Sequence, residues 1–166
     1  AYTAQFGNGV SAAISLEDSS GDGIGGPSSY ARAPLYDLST AVATDNWGGA
    51  SVPDIVGQLR VDQAWGLVQL SGVAHQLRAT NYLGAVTGHP DDSWGYAVQL
   101  ALSLKNLPTG PGDSINVSVG YADGASRYII GGVSPDTFSI YGNGNSSLAR
   151  LISSDGVYGL GGDIEK

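Results

Sequence analysis

Cysteine and methionine are both missing from this 166-residue chain. The first absence removes disulfides, thiolate nucleophiles and cysteine-built metal clusters. It leaves the compartment open, because a closed sheet in a bacterial envelope needs no disulfide. Basic side chains are scarce as well: 7 Lys and Arg stand against 15 Asp and Glu, a formal charge of −8. Nucleic acid is therefore not an expected partner, since phosphate binding requires a basic face. Acidic loops otherwise do no more than keep a surface solvated. No run of about 18 apolar residues occurs, which excludes a transmembrane helix. A β-barrel passes that test untouched, for its spans need only ~9 to 11 residues of alternating polarity. The chain opens at Ala1-Tyr2-Thr3 with neither a charged start nor an apolar run after it. Any signal peptide has been removed, or the N-terminus lies upstream.

What is present is glycine, 26 residues against roughly a dozen at average usage. Ser, Ala and Asn are also plentiful, so short strands joined by turns and loops are expected. Alternation supports this from the first residues. Tyr2, Ala4 and Phe6 alternate with Thr3 and Gln5; Gly7-Asn8-Gly9 is a tight-turn signal; Val10, Ala12, Ile14 and Leu16 then alternate with Ser11, Ala13, Ser15 and Glu17. A second pair runs over 54–63 and 66–76. Ile55, Gly57, Leu59 and Val61 share a face against Val56, Gln58, Arg60 and Asp62, and Val68, Leu70, Gly72 and Ala74 one against Gln69, Ser71, Val73 and His75. The clearest alternation follows: Trp94, Tyr96, Val98, Leu100, Leu102 and Leu104 oppose Gly95, Ala97, Gln99, Ala101, Ser103 and Lys105. After a turn holding Pro108, Gly110, Pro111 and Gly112, Ile115, Val117, Val119 and Tyr121 oppose Asn116, Ser118, Gly120 and Ala122.

Residues 19–53, 77–92 and those after Asp123 read as long loops, with a short helical piece around Tyr36 to Ala43 and a helix start at Ser134-Pro135-Asp136. Connections thus alternate short and long along six predicted strands. A soluble sandwich or meander does not require all long loops at one end of the sheet, whereas a porin-type barrel does. On that orientation Tyr2, Trp94, Tyr96 and Tyr121 fall near the outer rim of the apolar face and Phe6 near the inner rim, which sketches two interfacial aromatic girdles. Taken singly, each aromatic also fits ordinary strand packing. The other face is mostly Ser, Ala, Gly, Gln and Asn, suited to a water-filled lumen.

The segments Tyr2 to Glu17, Pro53 to His75 (beginning Pro53-Asp54-Ile55-Val56-Gly57-Gln58-Leu59-Arg60-Val61-Asp62) and Ser93 to Arg127 resemble the alphaproteobacterial trimeric porins, the major porins of Brucella and its rhizobial relatives. The resemblance implies an all-β fold, an antiparallel transmembrane barrel of about sixteen strands, of which this chain would be the central, open part. It implies a homotrimer in the bacterial outer membrane, with lipid as a partner, passing small hydrophilic solutes and ions without catalysis or cofactor. The inward-folded constriction loop of such porins would lie upstream of Ala1.

Candidate site residues are the charges of the polar face, Glu17, Arg60, Asp62 and Lys105, with His75 and Gln99 as polar companions. Fixed charges in a lumen bias which ions enter; the alternative for each is plain solvation. No catalytic set is found. His75 and His89 are not at ligand spacing, and His75 on a polar strand face reads as solvated. Gly21-Asp22-Gly23-Ile24-Gly25-Gly26 leads into no helix and reads as loop rather than a nucleotide turn. Glu17, Asp18 and Asp22 lack calcium-loop spacing, so no metal is expected. The rival functions are a soluble β-rich binding or adhesion module and an outer-membrane barrel enzyme.

Overall fold

The computed structural model describes residues 1–18, 35–38, 44–82, 87–110, 112–129, 154–159 and 161–166. Six strands make one antiparallel sheet: β1 (Tyr2–Gly7), β2 (Val10–Glu17), β5 (Asp54–Gln63), β6 (Gly66–Leu77), β7 (Ser93–Lys105) and β8 (Ser114–Asp123), neighbours in that order. The intervening β3 (Leu35–Asp37) and β4 (Thr44–Asp45) join β9 (Gly156–Tyr158) in a small sheet, with β3 antiparallel to β4 and parallel to β9. The six segments predicted from alternation are the six strands of the large sheet, each within a residue or so of its expected ends.

Turn chemistry pins the register. Asn8 and Gly9 both take positive φ, 50° and 73°, the pair of left-handed residues that a two-residue hairpin turn demands. Gly9 is needed twice over, because a Cβ there would run into the backbone carbonyl of Asp62, whose N–H donates to the Gly9 carbonyl at 2.8 Å. The β5–β6 turn is Ala64-Trp65, held by Lys105 N–H donating to the Trp65 carbonyl at 2.9 Å and Asn106 Nδ2 donating to the Ala64 carbonyl at 3.0 Å. Short connections therefore gather at one end and the longer ones at the other.

Register then stacks the alternating residues into rows. One outward row runs Ala4, Ala12, Leu59, Leu70, Leu100, Val119, another Tyr2, Ile14, Gly57, Gly72, Val98, Tyr121. Among the described residues nothing covers this face: Leu59, Leu100, Val119 and Tyr121 are 46%, 50%, 68% and 62% exposed. Strands β5 to β8 are 10, 12, 13 and 10 residues long, enough for a tilted membrane span of ~9 to 11. The sheet is open, with β1 and β8 as its edges.

Among the described residues two clusters are buried, both on the other side or at the long-loop end. Leu35, Leu77, Ala79, Tyr158 and Ile164 pack together with Tyr82 against them. Val73, Ala97 and Ala125 pack with Val56, Ala122, Tyr128 and Ile129. The helical piece expected around Tyr36 to Ala43 is not what forms at its start: Leu35–Asp37 is a strand, because Leu35 and Asp37 alternate into the small sheet's buried side and β9 offers a partner edge. Residues 39–43 and the Ser134 helix start lie outside the described residues. Directly after β8 the chain forms a 3-10 turn, Ser126–Tyr128.

Candidate functional site

The inner face is built of rows too, and each has its own character. Nearest the short turns lie Asp62, Leu67, Ser103 and Asn116, and behind them Ser11, Arg60, Gln69, Ala101 and Ser118. Arg60 donates from its guanidinium to Asp62 Oδ2 at 2.8 Å, and Lys105 Nζ stands 3.5 Å from Asp62 Oδ1. Three of the predicted charges are thus one cluster, Arg60 and Asp62 on β5 reaching Lys105 on β7 across β6, with side chains about 40% to 50% exposed. Its groups are wet and its net charge is positive by one, so it projects a weak cationic field into the space before the sheet.

The next row is Ala13, Gln58, Ser71, Gln99 and Gly120, small and polar, with Gln99 half-buried. Beyond it comes Ser15, Val56, Val73, Ala97 and Ala122, whose last four members make an unbroken apolar run on a face where apolar side chains otherwise stand among polar ones. A cavity of about 200 Å³ lies here, under Tyr128 and Ile129 and reaching Ser71 and Gln99.

The rim row is Glu17, Asp54, His75 and Gly95, and it departs most from expectation. His75 is not solvated; it is 1% exposed. Its Nδ1 contacts both oxygens of Asp54, at 2.8 and 2.9 Å, and its Nε2 lies 3.7 Å from Asp155 Oδ2. Asp54 and Asp155 are themselves buried, at 0% and 1% exposure. Tyr128 donates its hydroxyl to Asp54 Oδ2 at 2.7 Å, and Ser126 donates both its backbone N–H and its hydroxyl to Asp155 Oδ1, at 2.7 and 3.1 Å. The physical reason for the correction is coverage: the segment after β8 folds onto this part of the sheet and removes its water. Burial, and after it the hydrogen bond to Asp54 and the negative charges of Asp54, Glu17 and Asp155, push the Tyr128 phenol well above the ordinary tyrosine range. It therefore remains a donor. Glu17 sits at the edge of the cluster, half-buried, its Oε1 accepting from Ser15 at 2.9 Å.

Asp54, Asp155 and Tyr128 were not among the predicted site residues. For Asp54 a signal existed: it precedes Ala64 by as many residues as His75 follows Trp65, so the turn alone places the two opposite. Nothing comparable marks Asp155. Gln76 was missed too. It is buried at the rim on the outward parity, with Oε1 accepting from Ser51 Oγ at 2.8 Å and from the Ser51 and Val52 N–H groups at 3.1 Å, while Nε2 donates to Asp92 at 3.1 Å.

The predicted girdle aromatics Tyr2, Phe6, Trp94, Tyr96 and Tyr121 all stand exposed, with the Tyr96 and Tyr121 rings 6.1 Å apart and tilted. Among the described residues no group of His, Asp and Glu is arranged to hold a metal ion, and no helix is long and apolar enough to cross a membrane.

A family model described as a porin subfamily matches residues 1–156. No curated protein and no solved structure matches the chain.

Proposed function

The chain belongs to the porin family, and from that premise we propose that it forms part of the wall of a passive diffusion pore for small hydrophilic solutes and ions in a bacterial outer membrane. The observation that carries this reading is the contrast of the two faces. Apolar side chains lie in rows across the sheet with nothing among the described residues over them, while the opposite face is mostly small or polar. In water such a face would be a contiguous apolar patch of the kind that drives association; in lipid it is the stable arrangement. A soluble adhesion module would have to leave it wet.

Six strands with two open edges do not enclose the wide channel that barrels of ~16 strands leave. We therefore place residues 1–166 in the central part of one larger barrel domain, with further strands pairing at β1 and β8. By its resemblance the barrel is of the alphaproteobacterial trimeric kind. Tyr2, Trp94, Tyr96 and Tyr121 would anchor the outer lipid interface and Phe6 the inner one. Glu17, Arg60, Asp62, Gln99 and Lys105 would meet the solute path. Such a channel has no catalytic step and needs no cofactor.

The test is reconstitution of the complete barrel into planar bilayers and sugar-loaded liposomes. Discrete, ohmic conductance steps and liposome swelling that falls with sugar size are the expected result, with a trimer on native electrophoresis. A preparation that inserts and folds yet neither conducts nor admits sugars would overturn the reading.

A further inference from the structure

We propose that residues 125–129 form a ledge seated on the inner wall of the pore, and that this ledge limits the size of solute passing the long-loop end. The proposal rests on the pore reading above.

The path of the chain is the first ground. Beyond the Tyr96↔Asp123 pair the register brings Gly124 opposite Gly95. Gly124 takes φ +71°, and a Cβ on Gly95 would run into the Gly124 backbone. This pair of bare glycines lets the backbone leave β8 in tight contact with β7 and cross to the inner side. Side chains at either position would hold it off.

The seat is the second. A wall that only met water would have no reason to carry Val56, Val73, Ala97 and Ala122 in one row. Here that row receives Ala125, which is fully buried, together with Tyr128 and Ile129. Gly120 adds a notch, since a Cβ there would lie 2.7 Å from Ile129 Cδ1 and 3.0 Å from its Cγ2. The missing side chain at Gly120 is what lets Ile129 approach the wall this closely.

Fastening is the third. Burying two carboxylates and an imidazole is costly unless every one finds partners. They find them in one another and in the ledge itself: Tyr128 on Asp54, Ser126 on Asp155, His75 between the two acids. A loop resting casually on the wall would have left these groups wet. Two stacked sheets stand about 10 Å apart, so a single segment seated on the wall takes at most space of that order from the lumen, in addition to any inward loop contributed from upstream.

The experiment uses the complete barrel in planar bilayers and liposomes. Ile129→Ala shortens the ledge, and Asp155→Asn weakens its fastening. Both variants should raise single-channel conductance and raise disaccharide permeation more than monosaccharide permeation. Adding Gly120→Cys and Ile129→Cys to Asp155→Asn should, on oxidation, return conductance toward the wild-type value and lose that return on reduction, since a disulfide reseats the segment. If Asp155→Asn fails to assemble, Ile129→Ala and the cysteine pair in the otherwise unaltered barrel decide the matter. Assembled variants with unaltered conductance and an unaltered sugar ratio, in a wild-type background that conducts, would overturn the ledge alone. A wild-type barrel that does not conduct would overturn the pore reading and the ledge with it.

Discussion

The inner face carries ionisable clusters at both ends, and they follow opposite physics although parity put them on the same side. At the short-turn end, Arg60, Asp62 and Lys105 pair in water at roughly half exposure. At the long-loop end, Asp54, His75 and Asp155 pair with almost none. Exposed ion pairs contribute little, because water and salt offer each partner nearly as good an interaction. A buried hydrogen-bonded set is different in kind: removing a single member strands the rest without water. The wet cluster therefore adds little to stability, whereas the dry one holds the segment after β8 to the sheet.

The largest expected effect is on the dry side. Asp54→Ala should lower the stability of the folded barrel by about 3–5 kcal/mol, because His75 and the Tyr128 hydroxyl lose their acceptor in a site without water. Urea unfolding in lipid vesicles measures it. A loss no greater than that of Arg60→Ala would erase the distinction between the two ends.

Glycine substitution sharpens the same contrast between covered and open faces. Gly95→Ala meets the Gly124 backbone and should cost about 1–3 kcal/mol as overpacking. Gly57→Ala, on the uncovered face with nothing within 4 Å, should be near neutral. Limited proteolysis after Gly124 is an independent readout: faster cleavage in the Gly95→Ala protein is expected, and none in Gly57→Ala.

On the wet side the effect is on ions rather than folding. Arg60→Glu and Lys105→Glu should leave assembly nearly intact and shift the reversal potential toward cation preference, since each turns a fixed positive charge into a negative one facing the lumen. Reversal potentials under a salt gradient check this. Failure of the trimer to assemble would mean that these side chains face lipid, where a charge near the midplane costs about 2–4 kcal/mol.

The smallest effect is a pH dependence confined to alkali. In the unfolded chain Tyr128 releases its proton near pH 10, while in the folded chain burial and the Asp54 contact hold that proton to higher pH. Its contribution is therefore whole below about pH 10 and is lost as pH rises toward the raised value. The stability difference between wild type and Tyr128→Phe should be constant from neutral pH to about 9 and shrink above 10. A difference that grows with alkali would reverse the assigned sign.

The six strands of the large sheet, their order and the two faces of their alternation were legible in the residues alone, because a strand's period of two is a local property and a two-residue turn transmits it across a hairpin, whereas the small sheet of β3, β4 and β9 was not. Asn8-Gly9 sets β1 on β2, and Ala64-Trp65 sets Leu59 against Leu70 and Asp54 against His75. Which inner groups would be wet was not legible. Val56 and Val73 break the polar pattern of their face, but the pattern does not say what covers them. That depended on the chain crossing inward at Gly124 and on Asp155 returning to a site built by β5 and β6. Such contacts join positions far apart in sequence whose spacing obeys no period. Dielectric environment follows from them, so His75, an ordinary polar residue by parity, became the buried centre of a network only when tertiary structure closed over it.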